Sequence, residues 1–182
     1  MTAAPTWSLS LAQVRKLEPC EEAMARLSAI LPERDKIDAA QARALGCTYD
    51  DIIWAASMLA MRDETLARRL THYLNDNAKR VLHIFERDVP DDNRPRLAIE
   101  ATDKWLAGQI TEAEWRKAAW DAWDARAARA ARAAWVAWVA WDARAAWTSG
   151  TAFQVWQYDR LVYWLTEPEP AGLPMPEKEI AA

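Results

Sequence analysis

An alanine at every third position from Ala119 to Ala146 constrains the fold of this chain more than any other feature. Alanine is the strongest helix former, and the segment contains neither Gly nor Pro. Upstream, Thr111 and Glu114 have the spacing of a capping box, in which the side chain of each residue accepts a hydrogen bond from the backbone N–H of the other. The pattern therefore predicts one long helix from Thr111 to about Trp147.

On a helical wheel of about 100° per residue, the Trp and Arg side chains of this helix segregate onto two faces. The Trp side chains lie within about 60° of Trp120, and the Arg side chains lie between about 120° and 240° from it. Trp115 and Trp147 fall outside this arrangement, which predicts either a bend or different neighbours for these two residues. The Trp face comprises Trp120, Trp123, Trp135, Trp138 and Trp141, and the Arg face comprises Arg126, Arg129, Arg132 and Arg144.

The Trp face is too large to stay in water. Five indoles bury about 1,000 Å² in total, whereas the largest apolar patch of a monomer is about 300 to 600 Å². Either the earlier helices cover the Trp face as core, or a second copy or another partner covers it. The Arg face permits a nucleic-acid interface, but the net charge of −4 favours a solvated helix face instead.

Local start and stop signals predict that the rest of the chain is helical as well. We expect an all-α helical bundle with one long Ala/Trp/Arg-rich helix and a disordered C-terminal tail. The expected regions are an N-terminal helical region 1–62, a helical core 63–166, and a Pro/Glu-rich tail 167–182. The start signals are Ser8 or Ser10, Glu21 with Glu22, Asp38, Thr48 with Asp51, Glu64, and Asp92-Asn93-Arg94-Pro95; the stop signals include Pro19, Pro32, Gly46, Gly108 and Ser149-Gly150.

The chain lacks the usual signs of catalysis. His72 and His83 are about 16 Å apart along one predicted helix, so they cannot share a metal ion. Cys20 and Cys47 lack the spacing of a zinc site, and the acidic pairs at 50–51 and 91–92 stand where carboxylates favour a helix start. The sequence contains no phosphate-binding loop. We therefore expect a binding protein that is not an enzyme and needs no cofactor or metal.

The sequence also gives no sign of a membrane segment or of export. The longest uncharged stretch, from Ala145 to Tyr158, is shorter than the roughly 20 residues needed to cross a bilayer. The first residues lack the basic and apolar regions of a signal peptide. We therefore expect a cytoplasmic protein with no membrane partner.

The run D-D-N-R-P-R-L-A-I-E-A from Asp91 to Ala101, followed by Trp105, Gly108 and Thr111, resembles the signature of a bacterial immunity-protein family that also occurs in phage. The resemblance covers roughly residues 64 to 148, and the Ala-rich helix matches in style. Where family members often place His in the Ala-rich helices, this chain has Trp or Arg. The residues that the resemblance carries over as binding or fold-fixing residues are Asp92, Arg94, Arg96 and Glu100.

The resemblance implies an all-helical inhibitor that binds and neutralises a protein effector, either a toxin or a defence nuclease. Arg94 and Arg96 have a simpler interpretation, in which they pair with Asp91, Glu100 or a neighbouring helix. Two other functions stay open: a nucleic-acid or nucleoprotein binder that uses the Arg face, and a self-assembling protein whose Trp face forms a homodimer.

Overall fold

The computed structural model describes residues 7–130 and 151–167. Over these residues the chain is helical, and its only β-type pairing is an isolated bridge between Leu9 and Ile37. The all-α prediction is confirmed. The helices are α1 (Leu11–Arg15), α2 (Glu21–Ile30), α3 (Ala39–Ala44), α4 (Tyr49–Ala60), α5 (Glu64–Asp88), α6 (Arg94–Leu106), α7 (Glu112–Ala130) and α8 (Thr151–Thr166).

Two parts of the fold prediction lie outside the described residues. The long helix is present as α7 up to Ala130, and its predicted continuation to Trp147 falls in the part that is not described. The predicted disordered tail lies there too, apart from Glu167.

The helices begin and end at the local signals that the sequence provides. At the start of α4, the Thr48 backbone N–H donates to the Asp51 carboxylate at 2.8 Å, and the Asp51 N–H donates to the Thr48 hydroxyl at 3.2 Å. Asp38 accepts the Gln41 N–H at 2.9 Å at the start of α3. Gly46 follows α3 with a φ of +100°, a left-handed conformation that glycine adopts without steric cost. These predictions are confirmed.

The chain forms two compact units. Unit 1 consists of Met1–Tyr73 and Tyr158–Ala182, and unit 2 consists of Leu74–Gln157. Helices α5 and α8 each contribute one part to either unit. The predicted regions 1–62, 63–166 and 167–182 stay a prediction, since a division by compactness does not test them.

Unit 1 has an apolar core formed by α1 to α4 with the adjoining parts of α5 and α8. The hydroxyls of Tyr49 and Tyr73 share a hydrogen bond of 2.7 Å, and the His72 ring stacks on Trp164 with centroids 4.5 Å apart. His72 therefore serves packing. The most deeply buried large side chains are Trp164, Tyr73, Leu66 and Leu161.

A buried cation closes the C-terminal end of α8 within unit 1. The Arg69 guanidinium donates to the backbone carbonyls of Trp164 and Glu167 at 3.2 and 2.6 Å, where a helix leaves carbonyls without partners. It also lies 4.6 Å from the centre of the Trp7 ring, and the Trp7 indole donates to Asp63 at 2.7 Å. Burial lowers the pKa of Arg69.

In unit 2, α5 and α6 run antiparallel and are joined by polar contacts. The Asp103 carboxylate of α6 accepts from Asn75 at 2.9 Å and from Lys79 at 2.6 Å. Further along α5, Glu86 pairs with Arg96, which lies earlier in α6. Because later residues of α5 meet earlier residues of α6, these contacts fix both the direction and the register of the pair.

Candidate functional site

The residues D-D-N-R-P-R at 91–96, which we call the box, form the end of the turn after α5 and the start of α6. The Asp92 carboxylate accepts the Arg94 backbone N–H at 3.1 Å and the guanidinium Nε and Nη2 at 3.0 Å each. Pro95 fits the first turn of α6 because no helical partner is available there for a backbone N–H. The sequence predicted a helix cap within Asp92-Asn93-Arg94-Pro95, and the Asp92 side chain supplies it. Asn93 occupies the cap position without a side-chain cap hydrogen bond.

The second arginine of the box ties α6 to α5. Arg96 donates through Nε and Nη2 to the two carboxylate oxygens of Glu86, each at 2.7 Å. This two-bond geometry is the strongest form of an Arg–carboxylate pair. The interpretation that Arg96 pairs with a neighbouring helix is therefore confirmed, whereas Arg94 pairs within the turn. Glu100 is exposed on α6.

Gly108 ends α6 and turns the chain towards α7. Its φ of +71° is left-handed, and its N–H donates to the Trp105 carbonyl at 2.9 Å. The next N–H, of Gln109, donates to the Lys104 carbonyl at 2.8 Å. These two bonds form a Schellman motif, which satisfies the last carbonyls of a helix.

Helix α7 then starts with the predicted capping box. The Thr111 backbone N–H and hydroxyl both donate to Glu114 at 2.8 Å, and the Glu114 N–H donates to the Thr111 hydroxyl at 3.3 Å. The hydrogen bonds from the Thr111 backbone and side chain lower the pKa of Glu114. Helices α6 and α7 thus form a hairpin with a defined turn, which we call the α6–α7 hairpin.

A pair of indoles packs the two arms of the hairpin together. The Trp105 and Trp115 rings stack with centroids 4.4 Å apart and planes inclined by 12°. The Trp115 indole donates to the Thr102 hydroxyl at 3.0 Å, and that hydroxyl donates to the Ala98 carbonyl at 2.8 Å. Trp115 lies outside the Trp face because it contacts α6, which is one of the two predicted explanations.

Trp120 points away from α6. The half-buried side of α7 carries Trp115, Ala118 and Ala122, which lie between about 160° and 220° from Trp120 on the wheel. The Trp120 side chain is 65% exposed. It is therefore not a core residue, and the interpretation that earlier helices cover the whole Trp face fails at this position.

The other predicted residues of α7 and beyond are not described at the level of side chains. Trp123, Arg126 and Arg129 belong to α7, but the structure describes only their place in the helix. Their binding roles stay predictions. Arg132, Trp135, Trp138, Trp141 and Arg144 lie outside the described residues.

The basic residues at the start of α7 have partners on the same helix. Arg116 pairs with Glu112 at 2.6 Å, and Lys117 pairs with Asp121 at 2.8 Å. The hydrogen bond and charge of Asp121 raise the pKa of Lys117. All four side chains are exposed, so these pairs have the character of a solvated helix face and offer no free positive stripe.

A shallow cleft lies between the arms of the hairpin, beside the box. Arg94 and Leu97 of α6 line it together with Ala118 and Asp121 of α7. Leu97 is 49% exposed there. Leu97 is not among the residues predicted from the sequence, because a leucine within an amphipathic helix is ordinarily a core residue. The available signal was its place directly after the box, three residues after Arg94.

None of the described helices combines the length and the apolarity that a membrane-spanning segment requires. Across residues 7–130 and 151–167, no cluster of three or more His, Cys, Asp or Glu side chains could hold a metal ion.

Comparison with known protein families matches residues 63–168, which is more than half of the chain, to the family described as Imm-5 like putative immunity protein. The matched residues include the box and the α6–α7 hairpin, whereas α1 to α4 precede them. No curated protein and no solved structure matches the chain. The resemblance seen in the sequence is thereby confirmed: the chain belongs to the family of Imm-5 like putative immunity proteins.

Proposed function

We propose that this chain neutralises a protein effector by binding it through the α6–α7 hairpin, without catalysing a reaction. The effector is a toxin or a defence nuclease. Membership of the immunity-protein family supports the class of function. The observation that supports the α6–α7 hairpin as the binding surface is the exposed indole of Trp120.

Trp120 has the properties of an interface anchor. A Trp side chain that is 65% exposed leaves a large apolar area in water. Removing that area from water is favourable, so a partner that covers it gains binding free energy. Tryptophan is also among the residue types that dominate measured binding energies. Leu97 offers a second exposed apolar side chain on the same hairpin.

The hairpin can present these side chains with little loss of conformational freedom. Asp92 fixes the first turn of α6, and the Trp105–Trp115 stack fixes α7 against it. A surface that is already ordered loses less entropy on binding than a flexible one. The exposed carboxylate of Glu100 and the exposed amine of Lys104 supply polar groups of the kind found at the rim of an interface.

The test uses the products of the genes that flank the gene for this chain. Each product is expressed alone and together with the full chain in a bacterial host, and growth is recorded. We expect one product that stops growth and is neutralised by the chain, and a stable complex of the two purified proteins. A toxic flanking product that binds the chain with no loss of its activity would contradict the proposal.

The alternative partner for the exposed indole of Trp120 is a second copy of the chain. Light scattering over a concentration series distinguishes this alternative. A strict monomer at high concentration excludes a homodimer through Trp120, whereas a dimer that Trp120→Ala abolishes would replace the effector with self-association.

A further inference from the structure

Unit 1 contains an apolar cavity, partly open to solvent, that the proposed function does not use. Its volume is about 80 Å³, and α1 to α5 and α8 surround it. Protein interiors are usually packed closely enough that voids larger than a water molecule are rare. Its most deeply buried lining residues are Val14, Leu27, Cys47, Ile52, Ala56, Leu66 and Leu165.

The cavity exists because small side chains face it. Ala39 and Ala42 of α3 and Ala55 and Ala56 of α4 all line it. At each of these positions a larger apolar residue would extend further into the space. The four alanines therefore explain why the surrounding helices leave space at this point.

The polar groups in the lining are already occupied or neutral. Asp51 accepts the Thr48 N–H and hydroxyl at 2.8 Å each on one oxygen, and it pairs with Arg26 through the other. Burial raises the pKa of the Cys47 thiol to about 11, so this group is uncharged at neutral pH. The Asp38 carboxylate caps α3. A charged ligand would find no free counter-charge among these groups.

We propose that this cavity is a binding site for a small, uncharged, apolar ligand no larger than a short alkyl chain. Apolar cavities of about 150 Å³ stay dry and take up benzene or xenon. The present cavity is about half that size, which suits xenon or an alkyl group of a few carbons better than an aromatic ring. The site is separate from the proposed effector contact, since its lining residues belong to unit 1, whereas the α6–α7 hairpin belongs to unit 2.

Xenon is the probe. Methyl NMR spectra of the ¹³C-labelled full chain are recorded under increasing xenon pressure. We expect saturable shift changes at the methyl groups of Leu27, Ile52 and Leu66, which line the cavity. The exposed Leu74 in unit 2 should show no saturable change. Absence of saturation at the lining methyls, or equal changes at Leu74, would overturn the proposal.

A substitution that fills the cavity provides the matched test. Ala55→Leu should abolish the saturable xenon response. If this variant does not fold, the smaller substitution Ala42→Val replaces it and should weaken the response. Ala119→Leu, on the exposed surface of α7, is the control and should respond as the natural chain does. An undiminished response in a folded filled variant would place xenon elsewhere and would also overturn the proposal.

Discussion

Unit 1 and unit 2 hold their helices together in different ways. Every buried hydrophobic residue among the described residues lies in unit 1. Among the described residues of unit 2, the buried side chains are polar, namely Asn75 and Asp76 of α5. Its helices are joined by ion pairs, by side-chain hydrogen bonds and by the half-buried stack of Trp105 on Trp115.

The difference supports the proposal that unit 1 provides most of the stability, whereas unit 2 provides the surface for recognition. Removal of apolar surface from water is the main source of folding free energy, and the described residues of unit 1 carry most of it. Exposed large apolar side chains occur in both units, such as Met61 in unit 1 and Leu97 in unit 2, but among the described residues the exposed aromatic one is Trp120 of unit 2. The family match spans all of unit 2, so the part of the chain that resembles immunity proteins includes the exposed indole of Trp120.

The largest expected effect tests whether unit 1 carries the stability. Trp164→Ala should lower the free energy of unfolding by about 3 to 5 kcal/mol, because it removes a large side chain that is only 2% exposed. Trp120→Ala is the matched control and should change it by less than about 0.5 kcal/mol. Urea unfolding followed by circular dichroism measures both. Equal losses would break the comparison between the units.

The next largest effect on stability is expected at Asp51, whose buried carboxylate lines the cavity of unit 1 and pairs with Arg26. Burial alone would raise the pKa of Asp51, but hydrogen bonds from Thr48 and from Arg26 outweigh it and lower the pKa below its ordinary value of 3.8. Asp51→Asn should cost about 1 to 3 kcal/mol at pH 7, because the Arg26 pair and a charged capping bond are both lost.

The same carboxylate predicts a pH dependence. A group whose pKa is lower in the folded state stabilises the protein above its unfolded pKa, and this contribution is lost as the pH falls through the folded pKa. The natural chain should therefore lose stability below about pH 4, and Asp51→Asn should lose less over that range. Thermal unfolding at pH 3, 4 and 7 gives the comparison; parallel curves for the two proteins would contradict it.

A smaller effect is expected at the hairpin in unit 2. Thr102→Val keeps the shape of the side chain but removes the hydroxyl that accepts the Trp115 indole N–H. The loss should be about 0.5 to 1.5 kcal/mol, the usual net value of one hydrogen bond. Trp115→Phe removes the donor, and the double variant should show that the two losses are not additive. Additive losses would mean that this bond does not join the arms.

The smallest effect should come from the ion pair between Glu86 and Arg96. A double-mutant cycle with Glu86→Gln and Arg96→Gln should give a coupling of about 0.5 to 1 kcal/mol, at the upper end for exposed pairs because both oxygens are bonded. The coupling should decrease in 1 M salt, since the pair is partly exposed. A coupling energy that does not change with salt would mean that this ion pair does not stabilise the contact between α5 and α6 electrostatically.

Helix boundaries were predictable because their causes are local. The capping pairs Thr48–Asp51 and Thr111–Glu114 lie three residues apart, so the sequence displays both partners together. The glycines that end α3 and α6 are equally visible. The turn before α6 was harder, because Asp92 caps from one residue earlier than Asn93.

Contacts between distant residues were not predictable. Arg69 reaches carbonyls almost a hundred residues later, and Glu86 meets Arg96 only because the turn between α5 and α6 sets their register. The wheel showed that Trp115 is out of line with the other indoles, but it could not identify Thr102 and Trp105 as its neighbours. Nor could it show that Trp120 is uncovered, because exposure depends on where other helices pack.

The most direct test of the account is the affinity of the chain for its effector when Trp120 is truncated. Isothermal titration of the identified effector should show Trp120→Ala binding at least about 30-fold more weakly, the effect of losing an interface anchor worth about 2 kcal/mol. Leu74→Ala on α5, where the leucine is 59% exposed, should bind as the natural chain does. An unchanged affinity of Trp120→Ala would contradict the claim that effectors are recognised by the outward side of the α6–α7 hairpin.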